Sequence, residues 1–380
     1  LLLGEGGAVE LVPGTTACGQ EQCQGQQRLV DKWMHIPIFF QLLWGILPTV
    51  TEKNSFSFKV KQQILFLEKV TTMKGGNRKF STSGVLHIYQ RARDRGIIFY
   101  TVIDRLVYLS ILSVKSRQYE VKVLAVSIMF SHIHQSCRAG NKERIYKYVQ
   151  DSSSIYARAF NCHYGLKGSL FSRPFGSSLK RSVKEIRSNL AYVNNNHVES
   201  GLCKTALQAR WNLLAYRDGK RAMPEAARGD LSEKLIRAMK RIDRKASRRE
   251  YLTYRFLLPA FEGLDAAEEE ILTDHIILRY PLVDYSAAEG YYGGFEKMLT
   301  AFDSNTGSEF AIREEFSSAP DTSYEIMADM VRKGGLTGVK KPALLRFTKE
   351  KKLQMVRFFF ERTDARKFQI YKFLHLSDQD

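Results

Sequence analysis

The sequence has 380 residues, of which 44% are hydrophobic and 12% aromatic, a composition typical of folded rather than disordered protein. Lysine and arginine number 58 against 40 aspartates and glutamates, and the net charge of +18 favours a polyanionic partner such as a nucleic acid. The 5 cysteines form no CxxC pair, which indicates free thiols in a reducing, cytoplasmic setting. The apolar run over residues 36–50 contains prolines and falls short of the roughly 20 residues that cross a bilayer, so we predict no membrane association.

The chain divides into three predicted parts. Residues 1–72 show no sustained helical or strand periodicity, and we predict that they form a non-core or spurious N-terminal extension. Residues 73–216 carry the clearest periodicity and are predicted to form one domain. A passage rich in Pro, Gly and charged residues at 217–233 marks a boundary, and residues 231–380 are predicted to be mainly helical.

Within residues 73–216 the apolar spacing predicts alternating strands and helices. In chain order these are a strand at 85–90, a helix at 104–116, a strand-rich run at 119–129 leading into His132-Ile133-His134, a helix at 141–160, a short strand around Leu170-Phe171 and a helix at 182–195. This order, β-α-β-β-α-β-α, is close to that of a ferredoxin-like antiparallel sheet with helices on one face. The predicted fold class is therefore α+β.

Residues 348–377 predict two amphipathic helices interrupted at Thr363-Asp364, with Leu353, Val356 and Phe360 on the apolar face of the first. The pair resembles part of a helix-turn-helix unit. An ordinary two-helix packing unit explains the same pattern equally well.

The sequence Ser131-His132-Ile133-His134 places two imidazoles one residue apart in a chain with 8 histidines. On a strand, residues i and i+2 project from the same face, so both rings can converge on one metal ion. A catalytic metal generally needs about three protein ligands, and a histidine pair alone is incomplete. Taken alone, the pair is also explained as two polar residues at the end of a strand.

A second candidate lies in the predicted helix at 182–195 and just beyond it. Tyr192 and Asn196 are four residues apart, so their side chains leave one face of the helix a turn apart. The phenol is a candidate nucleophile and the Asn196 amide oxygen a candidate metal ligand, because attack on a phosphodiester benefits from a Lewis acid. Taken alone, Tyr192 is also explained as a packing residue of an amphipathic helix.

Four blocks in a fixed order resemble the HUH-type tyrosine transposases that act on single-stranded DNA, in the branch of the REP-associated enzymes. The blocks are HIYQRARDRGIIFYTVIDRLVYLSIL at 87–112, VLAVSIMFSHIH at 123–134, GSLFSRPFGS at 168–177 and YVNNNHVESG at 192–201. The region around 304–316 is similar to the C-terminal extension of some Bacteroides-type members. The order and spacing of the blocks carry more weight than any single block.

The resemblance implies a mechanism and a set of roles. Tyr192 would attack hairpin-forming single-stranded DNA to give a 5′-phosphotyrosine and a free 3′-hydroxyl, cleaving and later rejoining the strand. His132, His134 and Asn196 would hold Mg²⁺ or Mn²⁺ as the cofactor. The family also implies a homodimer for its transposition branch, a monomer for some REP-associated members, and a cytoplasmic, nucleoid-associated protein.

Two positions depart from the family pattern. Ser131 occupies a position where the family commonly has Asn or Asp, and His197 follows Asn196 where the family has proline. Neither change removes the candidate nucleophile or a histidine, but an alternative is a catalytically inactive hairpin-binding protein derived from such a transposase. A third interpretation, an RNA-binding ferredoxin-like domain, predicts aromatic pairs on the central strands, where this chain has His132 and His134.

Cationic side chains near these blocks are predicted to contact DNA phosphates. The candidates are Arg91, Arg93, Arg95, Arg138, Arg158, Arg173, Lys180 and Arg181. Tyr156, Phe160 and Phe175 are candidates for stacking on unpaired bases, although assignment of such aromatics to the core is the competing prediction.

Overall fold

The computed structural model describes residues 78–93, 96–172, 175–219, 231–304, 319–333 and 341–377. The predicted extension at 1–72, with its apolar run, lies outside these residues, as do most of the predicted boundary passage and the region around 304–316. By Cα proximity, residues 75–380 group as one compact unit.

A four-stranded antiparallel sheet forms the centre of the N-terminal part. Its strands are β1 (Val85–Arg91), β2 (Lys122–Ile128), β3 (His132–Arg138) and β4 (Gly176–Lys180), in the order β2-β3-β1-β4. This is the order of a ferredoxin-like sheet, and it confirms the predicted α+β class. β3, which carries both candidate histidines, is a central strand that begins rather than ends with them.

Two helices cover one face of the sheet. α1 (Val102–Gln118) begins after Thr101, whose hydroxyl accepts a hydrogen bond from the Asp104 backbone N–H while the Asp104 carboxylate accepts one from Thr101. α2 (Lys142–Tyr164) begins after Asn141, whose side chain caps the Arg144 backbone N–H, and ends at Gly165 in a left-handed conformation. Both helices share one apolar core with β1, β2 and β3.

A third helix, α3 (Val183–Glu199), covers the opposite face of the sheet. It begins after Ser182, which forms a reciprocal capping pair with Glu185. The sequence predicted helices on one face of the sheet, and the structure has α3 on the other face as well. The sequence of β2 requires cover on both faces, because its apolar side chains alternate between them. Val123 packs toward α1 and Leu124 toward α3.

The fourth strand differs in position from the prediction. Leu170 and Phe171 are buried, but Phe171 forms only an isolated bridge to Ala92, and the strand itself is β4. β4 is an edge strand with mostly half-buried residues, and its sequence GSSLK lacks the alternation that marks a strand. The apolar pair Leu170-Phe171 therefore gave a stronger strand signal in the sequence than β4 itself.

Helices dominate the rest of the described chain, as predicted. They are α4 (Glu233–Ser247), α5 (Tyr254–Phe261), α6 (Ala266–Arg279), α7 (Tyr285–Glu289), α8 (Phe295–Ser304), α9 (Thr322–Arg332), α10 (Lys349–Arg362) and α11 (Lys367–Leu374). α4 to α6 join the core around α1, α7 and α8 pack against α3, and α9 to α11 pack around Ile97 and Phe130. Within the described ranges, no helix combines the length and apolar character needed to cross a membrane.

Candidate active site

The strand register gathers the candidate residues on the face of the sheet that α3 covers. Residues directly opposite one another in antiparallel strands project from the same face. The pairs on β1 and β3 are Arg91 with His132, Tyr89 with His134, and His87 with Ser136. The two histidines of the sequence motif thus lie among side chains of β1 as well as beneath α3.

Tyr192 on α3 packs against the His134 ring. The ring centroids of Tyr192 and His134 are 5.6 Å apart, and those of His134 and His132 are 5.0 Å apart. His134 is fully buried and Tyr192 is 3% exposed, whereas His132 is only half-buried. The structure therefore brings together the predicted nucleophile and the two predicted metal ligands in a largely enclosed space.

A chain of short polar contacts runs beneath Tyr192. His87 Nε2 lies 2.9 Å from His134 Nδ1, and His87 Nδ1 lies 2.6 Å from the side-chain amide nitrogen of Asn189. The Ser136 hydroxyl donates to the Asn189 amide oxygen at 2.7 Å. All four residues are buried, so this chain fixes the orientation of the His134 ring.

Ser131 contacts the ring of the other histidine, His132. Its hydroxyl oxygen lies 3.1 Å from His132 Nδ1. In both His132 and His134 the Nδ1 atom therefore has a polar neighbour, and a metal ion would bind through Nε2. This arrangement is typical of metal-binding histidines, whose second nitrogen is held by a neighbouring group.

Asn196 and His197 lie one helical turn beyond Tyr192. The Asn196 amide nitrogen donates to the Tyr192 backbone oxygen at 2.9 Å, which leaves the Asn196 amide oxygen as the candidate ligand atom. His197 is 4% exposed and its Nδ1 lies 3.3 Å from the Ser127 hydroxyl. Burial, assisted by the positive charge of Arg105, lowers the pKa of His197 to about 3, so this ring is neutral.

The candidate ligand set is two imidazole nitrogens and one amide oxygen. Among the described residues, no group of three or more His, Cys, Asp or Glu side chains is arranged to hold a metal ion. A site with His132, His134 and Asn196 as its ligands is compatible with this result, because asparagine is not one of those four residue types. The held Nδ1 atoms of His132 and His134 make the donor set suitable for a divalent ion.

The predicted DNA-contacting cations have different surroundings. Arg91 is directly opposite His132, at the edge of the candidate site. Arg93, Arg158 and Arg181 are exposed, and Arg138 donates to the Tyr291 hydroxyl at 3.4 Å. Arg95 and Arg173 lie outside the described residues.

Lys180 is the exception among these cations. It is 4% exposed, and desolvation lowers its pKa, an effect that the neighbouring Glu185 opposes. A buried ammonium group is a poorer phosphate contact than the exposed arginines nearby.

The three candidate stacking aromatics belong to the core. Tyr156 and Phe160 are fully buried and Phe175 is 5% exposed. Tyr156 donates its hydroxyl to the Ile98 backbone oxygen at 2.6 Å and so has a structural partner. The competing prediction of a core role is correct for this set.

Sequence reasoning missed His87 and Asn189. His87 lies in the segment VLHIYQ, where every residue but one is buried, and a buried histidine among apolar neighbours is a weak signal of a polar network. Asn189 lies three residues before Tyr192 on the same helical face, and that spacing was the available signal.

Comparisons with known proteins agree with the sequence blocks. Residues 81–196, about a third of the chain, match the family model described as "Transposase IS200 like". For this segment the match confirms the resemblance to tyrosine transposases. No curated protein matches the chain.

One solved structure is similar, that of a REP-associated tyrosine transposase bound to a REP hairpin. The sequences are 17% identical, the alignment covers 39% of this chain and 87% of that chain, and the TM-score is 0.33. A likeness of this size does not by itself establish a shared fold.

Proposed function

We propose that residues 73–216 form the catalytic domain of a transposase that cleaves and rejoins single-stranded hairpin DNA through Tyr192. The observation that carries the proposal is the position of the Tyr192 ring, 5.6 Å from the His134 ring and on the same face of the sheet as His132. The family match over 81–196 supports the same reaction class.

In the proposed reaction the Tyr192 hydroxyl oxygen attacks the scissile phosphorus and the bond to the 3′-oxygen breaks. The products are a 5′-phosphotyrosine and a 3′-hydroxyl, and the phenolic proton formally passes to the 3′-oxygen. Rejoining is the reverse step, in which a 3′-hydroxyl attacks the phosphotyrosine.

His132, His134 and Asn196 are the residues that would hold Mg²⁺ or Mn²⁺. A bound divalent ion would polarise the phosphoryl oxygen and stabilise the leaving 3′-oxygen. Arg91, opposite His132, would contact a neighbouring phosphate of the strand.

Ligation through His134 Nε2 sets the direction of the hydrogen bonds below it. His134 must then carry its proton on Nδ1 and donate to His87 Nε2, and neutral His87 must donate from Nδ1. The Asn189 amide has to present its oxygen to His87, which a 180° rotation of the amide achieves at the same sites. His87 and Asn189 are thus positioning residues for a metal-binding His134.

The burial of Tyr192 sets a condition for the reaction. At 3% exposure its hydroxyl does not reach a DNA phosphate unless α3 or an element packed on α3 moves. α7 and α8 pack on this helix, and the Asn195 amide donates to the Phe302 backbone oxygen at 2.8 Å. DNA entry therefore involves the contact between α3 and the C-terminal helices.

Labelled hairpin DNA with Mn²⁺ tests the proposal. We expect a denaturant-resistant protein–DNA adduct that disappears in Tyr192→Phe and persists in the control Tyr146→Phe, whose ring packs on Phe175 away from the site. An adduct that survives Tyr192→Phe would overturn the assignment of the nucleophile.

Tight hairpin binding without any adduct supports a second candidate, a catalytically inactive hairpin-binding protein. The specific observation in its favour is the buried His197 at the position of the family's proline. Light scattering of the DNA-bound protein reports whether a homodimer, as the family implies, assembles.

A further inference from the structure

A basic depression lies between α4 and α5, outside the segment that matches the transposase family. Its volume is about 180 Å³, and it is lined by Arg241, Arg244, Lys245, Arg248 and Phe256. We call this feature the α4 depression. Four of its five lining residues are cationic, so the depression has a positive potential that attracts anions.

The sequence of α4 explains how these cations converge. Leu235, Ala238 and Ile242 are buried and fix one face of the helix against the core. Arg241, Lys245 and Arg248 follow one another at spacings of four and three residues, so they form a single stripe beside that face.

The charges in the α4 depression are incompletely neutralised. Lys245 pairs with Glu250. Among the ion pairs of the described residues, none includes the guanidinium groups of Arg241, Arg244 or Arg248. Asp243, the acidic residue on α4 nearest to them in sequence, pairs with Arg279 at 2.7 Å instead. Glu250 also feels the charge of Arg248, so one carboxylate faces four cations on this concave surface, and the excess positive charge favours binding of a polyanion.

Phe256 on α5 gives the surface a second property. The Arg241 guanidinium carbon lies 5.0 Å and the Lys245 ammonium 5.8 Å from the centroid of its half-buried ring. A cation–π contact of this kind holds the Arg241 guanidinium in place, and its N–H donors remain able to bind a ligand because the ring contact uses the face of the group. The combination of fixed arginines and an aromatic ring is typical of surfaces that bind nucleic acid.

We infer that the α4 depression binds the phosphodiester backbone of the DNA substrate at a distance from the cleavage site. The inference rests on the proposed function, because hairpin DNA is the polyanion that this protein would hold. Arg241, Arg244 and Arg248 each contact a phosphate, and Phe256 supports the first of them.

The position of the depression determines what its contacts do. α4 and α5 belong to the helical layer around α1, where the Leu252 backbone N–H donates to the Ser110 hydroxyl at 2.9 Å. Tyr192 and His134 lie on the other face of the sheet. The depression therefore anchors a flanking part of the DNA and contributes to affinity rather than to the chemical step.

The test compares two triple variants of the full chain that remove the same charge. The first is Arg241→Gln, Arg244→Gln and Arg248→Gln. The control is Lys297→Gln, Lys333→Gln and Arg357→Gln, three exposed cations outside the depression, of which Lys333 and Arg357 pair with Asp329 and Glu361. Hairpin DNA with single-stranded flanks is titrated at 50 to 200 mM salt, and the thermal midpoint of each variant checks its fold.

We expect the depression variant to bind the hairpin roughly 10- to 100-fold more weakly. Its salt slope should fall by about 2 to 3, since each phosphate that the protein no longer neutralises lowers the slope by about 0.7 to 0.9. The control should change affinity by less than about threefold. In the adduct assay the depression variant should need a higher DNA concentration for half-saturation. Its rate of adduct formation at saturating DNA should stay the same.

Equal losses of affinity in the two variants would show a general charge effect and overturn the inference. Unchanged hairpin binding by the depression variant would also overturn it, and would direct the search to an acidic protein. Failure of the proposed function is read separately, because it appears as an absent adduct in the unmodified protein whatever the depression variant does.

Discussion

The Nε2 atom of His87 lies 2.9 Å from the Nδ1 atom of His134, so a histidine outside the HxH motif holds a histidine within it. The contact crosses from β1 to β3 and is fully buried. It means that the orientation of the predicted metal ligand depends on the pairing of the two central strands.

Replacement of His87 by leucine tests this dependence. The substitution keeps an apolar body of similar size but removes the acceptor for His134 Nδ1–H, so the His134 ring loses its fixed orientation. We expect Mn²⁺ affinity, measured by titration calorimetry without DNA, to fall roughly 10- to 100-fold. His163→Leu is the control, because His163 stacks on Tyr254 outside the site. Equal Mn²⁺ affinity in the His87 variant and the unmodified protein would remove His87 from the ligand-positioning role.

Asn189 offers a finer test of the hydrogen-bond direction. A carboxylate in its place can only accept, so in Asn189→Asp one oxygen can accept from His87 Nδ1–H and the other from the Ser136 hydroxyl, at the two sites that the amide now occupies. Asn189→Leu retains neither. We expect the Asp variant to bind Mn²⁺ at least as tightly as the unmodified protein and the Leu variant to bind it roughly 10-fold more weakly. The opposite ranking would show that Asn189 donates to His87.

Ser131, which departs from the family pattern, is predicted to retain the function of the residue it replaces. Its hydroxyl is 3.1 Å from His132 Nδ1, and Ser131→Ala removes that contact. We expect roughly threefold to tenfold weaker Mn²⁺ binding in Ser131→Ala and recovery in Ser131→Asn, whose amide oxygen can accept from His132. No difference among the three proteins would show that His132 needs no partner at this position.

The order of elements in the N-terminal part could be predicted because local signals agree with the fold. Asn141 and Ser182, predicted as helix starts, are the capping residues of α2 and α3. The prediction fails where local signals are ambiguous. In Phe358-Phe359-Phe360 of α10, the ring expected on the apolar face, Phe360, is 63% exposed, whereas Phe359 is buried.

The candidate site was predictable only in part, for a related reason. His132 and His134 share a strand, and Tyr192 and Asn196 share a helix, so each pair follows from the period of one element. The contact between His87 and His134 spans 47 residues and depends on the β1–β3 register. No local pattern specifies that register, which packing of both sheet faces determines.

Asp321 connects the C-terminal helices to α3, the helix that carries Tyr192, and gives a pH-dependent prediction. It precedes α9, and its backbone N–H donates to the Ser200 backbone oxygen at the end of α3, at 2.9 Å. Burial raises the pKa of the Asp321 carboxyl to about 6, although the positive charges of Lys372 and Arg105 oppose the shift.

The sign of the effect follows from proton counting. Between the ordinary aspartate pKa of about 4 and the folded value of about 6, the folded state binds more protons at Asp321 than the unfolded state. This contribution to stability is therefore complete below about pH 4 and is lost as the pH rises to about 6. The slope is at most about 1.4 kcal/mol per pH unit.

Asp321→Asn removes this titration, so its unfolding free energy should lack the loss between pH 4 and 6. Urea unfolding of both proteins at pH 4, 5, 6 and 7 measures the difference, which should grow in favour of the Asn variant up to about pH 6 and then remain constant. Asp364→Asn, at an exposed position between α10 and α11, should follow the unmodified protein. A constant difference between Asp321→Asn and the unmodified protein would contradict the raised pKa. The same measurement would then indicate that the Asp321 carboxyl, where α9 meets α3, is hydrated.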